Sequence, residues 1–579
     1  MSPDDPISNA PTIIEVLQAR AAATPDGLAF SFLVDGEEEG PRLTFAELDR
    51  RACAVAAALR DAAESGDRAL LLYAPGLEFI PAFFGCLYAG VVPVPAYPPR
   101  LDRLAYSWEA LGNITDDCGP TVVLTTRNLA AAYGGAAAAP RLAALRWVCT
   151  DALDAARGDA WRGPAADPEA LALLQYTSGS TASPKGVRVT HRNLIHNQRL
   201  MREADGPSGR GLGVCWLPLY HDMGLLGGAV QAVFQGTPCV MMSPLGILQK
   251  PFRWLRAISR YKARISGGPN FSYELCVDRV TAEHKATLDL SGWFVAILGG
   301  EPINPRTLDR FAAAFAPCGF RPEAFSPCYG LAEATLFVTG RRPSAPVVRT
   351  VSAAALEQGR VAAAERGSPD ARSFVSCGTP WLDMQVVIAD PEALTACRPG
   401  SVGEIWVSGP SVADGYWGRP DETERTFRAF LRDTGAGPFL RTGDLGFVAD
   451  GELYVTGRLK ELLIINGRNH YPQDIEQTVQ GVHPGLRAGC GAAFETRRDG
   501  RPLLVVVQEV ERRSRDLDSG RLLGDVRQAV AERHGVHVHD LLLLESGALP
   551  KTSSGKVQRH RCCLGYEGGT LRPWKGAKA

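Results

Sequence analysis

Residues 171–190 read LALLQYTSGSTASPKGVRVT. An apolar run closes at Tyr176, a loop of small hydroxyl residues and glycine follows, Lys185 stands near its end, and a β-branched run resumes at Val187. The pattern predicts strand, flexible loop, strand. Glycine lets backbone approach a ligand closely, and successive N–H groups with hydroxyl donors suit a phosphate. The lysine adds a point charge. The loop lacks the Gly-x-x-x-x-Gly-Lys-[Ser/Thr] order of a Walker A loop. Its plain reading is a polar hairpin turn, but the order of its residues is more particular than such a turn needs.

A chain of 579 residues is too long for one small core, since domains run to roughly 150 residues. Hydrophobic content of 45% and charged content of 22% are those of a globular protein. A net charge of −1 gives no reason to expect nucleic acid or an anionic membrane surface. The 14 cysteines are scattered without a C-x-x-C pair, which reads as reduced thiols in a cytoplasmic protein without a zinc site. The polar, acidic N-terminus does not read as a signal peptide, so none is expected. Residues 79–99 carry no charge and have the length of a membrane span, but five prolines interrupt them. A buried helix over 79–89 and a short buried strand over 91–95 fit better.

Strands and helices alternate through the first half, predicting α/β layers. A helix covers 13–23. Another starts after Thr44, with Glu47 completing a capping box. Short strands are expected at 69–73, 122–126 and 145–150, and residues 151–168 form a surface connection. Residues 213–228 (GVCWLPLYHDMGLLGG) run from a strand through a turn bearing His221 and Asp222 into an apolar helix. A lone histidine is usually structural, and no Gly-x-Ser-x-Gly elbow supports a Ser-His-Asp hydrolase. VAILGG at 295–300 is a buried strand followed by Glu301, and FSPCYGLAEATLFVTG at 325–340 reads as strand, turn and helix. Residues 341–376 change texture and look inserted, with a helical patch over 353–366. RTGDL at 441–445 puts Asp444 just after a glycine turn, and a strand at 452–457 leads to Arg458 and Lys460. Pro472 suits the first turn of a helix. Strands at 488–494 and 503–509 and a helix at 522–533 suffice for a separate terminal domain. Near its end, LPKTSSGKVQR carries Lys556, by itself an ordinary solvated charge.

TSGSTASPKG, WLPLYHDMGLLGG, GGEP, YGLAEAT, RTGDLG, GRLKELLIINGRNHYPQDIE and LPKTSSGKVQR each occur once, in that order, from 171 to 559. This ordered set resembles the adenylate-forming superfamily of acyl-CoA ligases, nonribosomal adenylation domains and luciferases. LPLYHDMGLLGG, GRNHYPQDIE and the insertion at 341–376 are most similar to the fatty acyl-AMP ligases. The resemblance implies an α/β fold: a large N-terminal domain of layered α/β subdomains (1–457) and a small mobile α+β C-terminal domain (458–579). It also implies two half-reactions, in which a fatty acid and Mg-ATP give acyl-adenylate and pyrophosphate, and a phosphopantetheine thiol of an acyl carrier protein then takes the acyl group.

Carried residue by residue, the resemblance places Thr177, Ser178, Gly179, Ser180, Thr181, Lys185 and Gly186 on the phosphates. Gly300, Glu301, Tyr329 and Gly330 border adenine, and Asp444 takes the ribose hydroxyls, as a carboxylate can accept two O–H donors. Arg458 contacts ribose or phosphate. Glu333 holds Mg²⁺, a hard cation that prefers oxygen ligands. His221 stands by the reacting carboxylate, and Lys556 bridges carboxylate and α-phosphate. Lys460 takes the hinge position. The carrier is expected in trans, because about 20 residues after Lys556 leave no room for one. No nucleic acid partner and no membrane span are expected. The competing readings are a ligase using free coenzyme A, an amino-acid adenylation domain, and a non-catalytic acyl-adenylate binder. The retention of Lys185, Glu333, Asp444 and Lys556 speaks against the last.

Overall fold

Leucine- and valine-rich runs separated by helices lay down two mainly parallel sheets. The computed structural model describes residues 10–99, 104–134, 144–159, 166–177, 184–465, 468–498, 501–512, 517–552 and 555–576, with single residues 7, 142, 161, 163 and 514. The first sheet orders Val92–Ala96, Arg68–Leu72, Val122–Thr125 and Arg146–Cys149, all parallel. Pro93 and Pro95 are tolerated because their strand lies at the edge, where a missing N–H costs least. The uncharged stretch is core. Phe79–Ala89 is a helix with nearly every side chain buried, and it packs so closely on helix Phe45–Arg60 that a Cβ on Gly85 would sit 2.5 Å from Val55 Cβ. The capping box of Thr44 and Glu47 is formed. Among the described residues no helix is long and apolar enough to cross a membrane.

The second sheet has nine strands. Its centre runs Phe325–Gly330, Val295–Leu298, Ile265–Gly268, Gly213–Cys215, Cys239–Met242 and Leu28–Val34, all parallel, with antiparallel strands at both edges. Strands Leu171–Thr177 and Lys185–Thr190 form a separate hairpin whose last register pair is Thr177 and Lys185. A four-stranded antiparallel sheet follows, ordered Gln385–Ala389, Gly403–Ser408, Leu440–Ala449 and Glu452–Arg458.

Three expectations change. The helix expected after Glu333 is a 3₁₀ turn (Ala332–Ala334) and then a strand, Phe337–Gly340, pairing back on Phe325–Gly330. Buried Thr335 makes this reversal at φ 69°, costly for a β-branched residue, and its hydroxyl donates to the Ser411 carbonyl at 2.7 Å. Gly330 permits it, since a Cβ there would lie 1.8 Å from the Leu336 carbonyl oxygen. In the insertion only Ala353–Glu357 is helical; Gly359 at φ 70° breaks the run, and strands Val348–Ser352 and Ala371–Val375 frame it. Asp444 lies inside a continuous strand rather than after a turn, with Gly443 at φ 71° only kinking it.

From the 3₁₀ turn Leu459–Glu461 onward the chain builds another body. Strands Leu486–Arg498, Arg501–Val510 and Val538–Leu544 form its sheet, and helices Pro472–Val482 and Ser519–His534 share its main core. Helix Arg559–Glu567 packs on the strand Leu486–Arg498. Arg559 binds both Glu476 oxygens, at 2.7 and 2.8 Å, and Glu461 Oε2 at 2.6 Å. A buried cation is tolerable only with such pairing.

The insertion touches this body. Arg372 pairs with Asp474, and Glu357 reaches Arg468 at 3.6 Å and His470 at 3.7 Å. Nearby, His534 bonds Thr478 Oγ1 at 2.7 Å, and burial, reinforced by Arg372, Arg533 and His470, pushes its pKa down to about 3 from 6.5. Between those values the unfolded chain binds a proton that the fold refuses, so stability is full above pH 6.5 and falls as pH drops toward 3. His534→Gln keeps a partner for Thr478 and does not titrate. It should flatten the fall of Tm across that window, and an unchanged slope would mean that another group causes it.

Candidate active site

The cleft between the large body and the terminal one is a continuous cavity of about 4090 Å³. Its middle is set by strand ends. Tyr329 lies near the end of Phe325–Gly330, and its hydroxyl donates to Asp444 Oδ2 at 2.8 Å. Asp444 and Arg458 are register partners on neighbouring strands, and Arg458 Nε lies 3.1 Å from Asp444 Oδ1. The Asp444 charge raises the Arg458 pKa, while burial and that same charge hold the Tyr329 phenol well above its usual value.

Glu333 follows in the 3₁₀ turn. Its Oε1 accepts from the Tyr416 hydroxyl at 2.9 Å. Burial raises its carboxyl pKa, and the Tyr416 hydroxyl and Arg458 partly offset this. Tyr416 also faces Lys185, whose ammonium lies 4.9 Å from the ring centroid and 3.0 Å from Glu422 Oε1. Gly186 is required beside it, because a Cβ there would come within 2.9 Å of the Tyr176 ring. Thr177 and Lys185 thus stand opposite each other at the loop end of the hairpin. Ser178, Gly179, Ser180 and Thr181 lie outside the described residues.

On the other wall, His221 Nδ1 lies 2.6 Å from Asp222 Oδ1. Gly300 turns the chain at φ 80°, and Glu301 accepts the Phe271 N–H at 2.7 Å, so its carboxylate caps helix Asn270–Arg279. Gly330 lines the cleft beside Tyr329. Into this space comes Lys556 from the terminal body. Burial, with Arg458 adding to it, lowers its pKa, while Asp222, Glu301 and Asp444 pull it back up. Asp222 is buried, which disfavours its charge, yet His221 and Lys556 keep its pKa below the usual value. Lys460 sits exposed in the turn joining the two bodies. Tyr329, Glu333, Asp444, Arg458, His221, Glu301, Lys185 and Lys556 therefore line one cleft.

Residues 17–417 match the AMP-binding enzyme family, and residues 460–574 match the AMP domain of Disco-interacting protein 2-like proteins. The chain is 45% identical over 570 residues to the medium-chain-fatty-acid–[acyl-carrier-protein] ligase JamA of Moorena producens, covering 97% of this chain and 96% of that one. It belongs to the fatty acyl-AMP ligases, within the AMP-binding enzymes. The long-chain-fatty-acid–AMP ligase FadD32 of Mycolicibacterium smegmatis is 38% identical, with 98% and 96% covered. The crystal structure of a fatty acid AMP ligase from Legionella pneumophila superposes with a TM-score of 0.77 at 39% identity over the whole of both chains. A second Legionella pneumophila structure, holding acyl adenylate and pyrophosphate, gives 0.76 at 39% identity over 97% of each chain.

For this fatty acyl-AMP ligase the sequence did not point to Tyr416, Glu422 or the facing of Asp222 toward Lys556. Tyr416 lies 83 residues from Glu333, and no local spacing links them. Removing its hydroxyl with Tyr416→Phe takes away a donor to the Glu333 carboxylate. The Glu333 pKa should rise further. The acid limb of the pH–rate profile should then move to higher pH, and a limb left in place would separate it from Glu333.

Proposed function

We propose that this fatty acyl-AMP ligase joins a fatty acid to ATP, releasing pyrophosphate, and passes the acyl group to the phosphopantetheine thiol of a separate acyl carrier protein. The observation that carries this reading is the lodging of Lys556 beside Asp222, Glu301 and Asp444 in the cleft. Two anions, the acid's carboxylate and the α-phosphate, repel each other as they meet, and a cation placed between them offsets that repulsion. The carboxylate oxygen attacks phosphorus, the bond to the bridging pyrophosphate oxygen breaks, and pyrophosphate leaves with the electron pair. The thiol sulfur then bonds to the acyl carbon, the bond from that carbon to the α-phosphate oxygen breaks, AMP leaves with the electron pair, and the thiol proton passes to solvent.

Asp444 and Arg458 are assigned to the ribose and its phosphate, and Tyr329, Gly300, Glu301 and Gly330 to the adenine wall. Lys185, with Thr177, Ser178, Gly179, Ser180, Thr181 and Gly186, is assigned to the departing phosphates, where positive charge and N–H donors stabilise the leaving group. His221 positions the carboxylate; an ionised acid needs no base. Glu333 would hold Mg²⁺. Its carboxylate accepts from the Tyr416 hydroxyl, and among the described residues no group of three His, Cys, Asp or Glu side chains is placed to hold a cation. One carboxylate with water and phosphate oxygens suits this metal, which neutralises phosphate charge when bound. The boundary between the bodies is assigned to 457/458, with Lys460 as hinge, and the setting to the cytoplasm.

JamA is named for an acyl-carrier-protein acceptor, which supports a carrier thiol over free coenzyme A. Lys556→Ala should slow pyrophosphate release roughly a hundredfold or more, while transfer from supplied acyl-adenylate changes little. Equal loss in both assays would refute the assignment. The pairs Arg372–Asp474 and Glu357–Arg468 hold the insertion on the terminal body in this arrangement. Arg372→Ala with Glu357→Ala should raise acyl-coenzyme A formation measurably above wild type. No gain would count against restraint by the insertion.

A further inference from the structure

The cation assigned to the departing phosphates already has a partner. Lys185 lines the cleft, and its Nζ lies 3.0 Å from Glu422 Oε1, in a pair whose side chains keep 18% and 32% of their surface exposed. Glu422 sits in the first turn of helix Pro420–Phe427, where the helix dipole favours an anion. Burial pushes the Glu422 pKa up, but Lys185 and Arg419 outweigh it and hold the carboxyl below its usual value. It is therefore ionised at neutral pH.

The corner that carries Glu422 is fastened to the hairpin. Arg419 Nη1 reaches Glu422 Oε2 at 3.5 Å, while its Nη2 donates to Asp117 Oδ1 at 2.9 Å and to the Pro184 carbonyl at 3.2 Å. The other Asp117 oxygen accepts from the Tyr176 hydroxyl at 2.6 Å, and the Trp417 N–H donates to the Gly186 carbonyl at 2.8 Å. Both strands of the hairpin are tied to this corner, so Glu422 is held where it stands. It also has a second cation. When Lys185 turns to a phosphate, Arg419 still answers the Glu422 carboxylate, and no half-buried charge is stranded. Lysine is a compact charge on a flexible four-carbon stem, suited to changing partners. A partly exposed ion pair is weak enough to be exchanged.

We infer that Glu422 is a positioning residue that competes with pyrophosphate for Lys185. It holds the ammonium while the phosphate site is empty, yields it to the incoming triphosphate, and takes it back as pyrophosphate departs. A ligand that needs a group engaged elsewhere loses affinity in proportion to the time that group is engaged. Glu422 thus loosens the enzyme's hold on pyrophosphate without touching it. The inference rests on the assignment of Lys185 to the departing phosphates.

The test measures inhibition of acyl-AMP formation from a medium-chain fatty acid by magnesium pyrophosphate and by AMP, each against ATP, in the full chain. Glu422→Gln keeps the shape and removes the charge. It should lower the pyrophosphate inhibition constant about fivefold, the upper range for a partly exposed pair, and leave that of AMP in place. Glu422→Asn should act in the same direction if glutamine disturbs the corner. Lys185→Met should raise the pyrophosphate constant, and Glu422→Gln added to it should tighten nothing, because the contested cation is gone. A role confined to bracing the corner would raise both constants. A general change of charge would lower both alike, with or without Lys185. Either result, or an unmoved pyrophosphate constant in Glu422→Gln, overturns the inference alone as long as Lys185→Met weakens pyrophosphate. If Lys185→Met leaves that constant unmoved, the assignment of Lys185 to the phosphates falls as well.

Discussion

Asp444 is the point at which the parts of this enzyme are joined. One carboxylate oxygen takes the hydroxyl of Tyr329, from the nine-stranded sheet; the other faces the guanidinium of Arg458, its register partner in the antiparallel sheet. A buried charge must be answered by such partners or be expelled. The kink at Gly443 and the alignment of the two strands both serve this contact. The strand that Arg458 ends is followed at once by the turn into the terminal body. The cleft is therefore tied to the place where the chain leaves one body for the next.

Around that contact the charges alternate. Asp222, Glu301, Glu333 and Asp444 face Lys185, Arg458 and Lys556, and Tyr416 stands between Lys185 and Glu333 with its ring toward one and its hydroxyl toward the other. Groups fixed in this way need no rearrangement when negative charge arrives, which makes them more effective than mobile water dipoles. The lowered Lys556 pKa and the raised Glu333 pKa share one origin, the removal of water from a crowded ionic site.

Much of this was legible in the chain, for reasons that differ by element. The hairpin at 171–190, the capping box at Thr44 and the proline start of helix Pro472–Val482 follow from neighbours a few positions apart. The buried helix Phe79–Ala89 was separable from a membrane span because proline is a local signal. Where the outcome hangs on distant partners, local pattern misled. LAEATLF has the composition of a helix, yet a hydroxyl-to-carbonyl bond from Thr335 to Ser411, 76 positions away, turns it back as a strand. The alanines at 353–355 continue toward Arg366 in composition but not in structure, since Gly359 and the pairing of the flanking strands end the helix. In the site, Lys185, His221, Gly300, Glu301, Tyr329, Gly330, Glu333, Asp444, Arg458, Lys460 and Lys556 line the cleft, while Thr177 and Gly186 stand next to Lys185 on the hairpin without lining it. Their holders Tyr416 and Glu422, and the facing of Asp222 toward Lys556, could be found only once the chain was folded. The π-helical turn Leu225–Val230 had a faint mark in the pair Gly227–Gly228, which alone does not distinguish it from an ordinary helix.

The grip of Arg559 on both Glu476 and Glu461 has a mechanical side. Glu461 belongs to the connecting turn, so the turn is welded to the body that follows it rather than free between the two. The first residues after the strand that Arg458 ends are therefore already part of the terminal body's own packing.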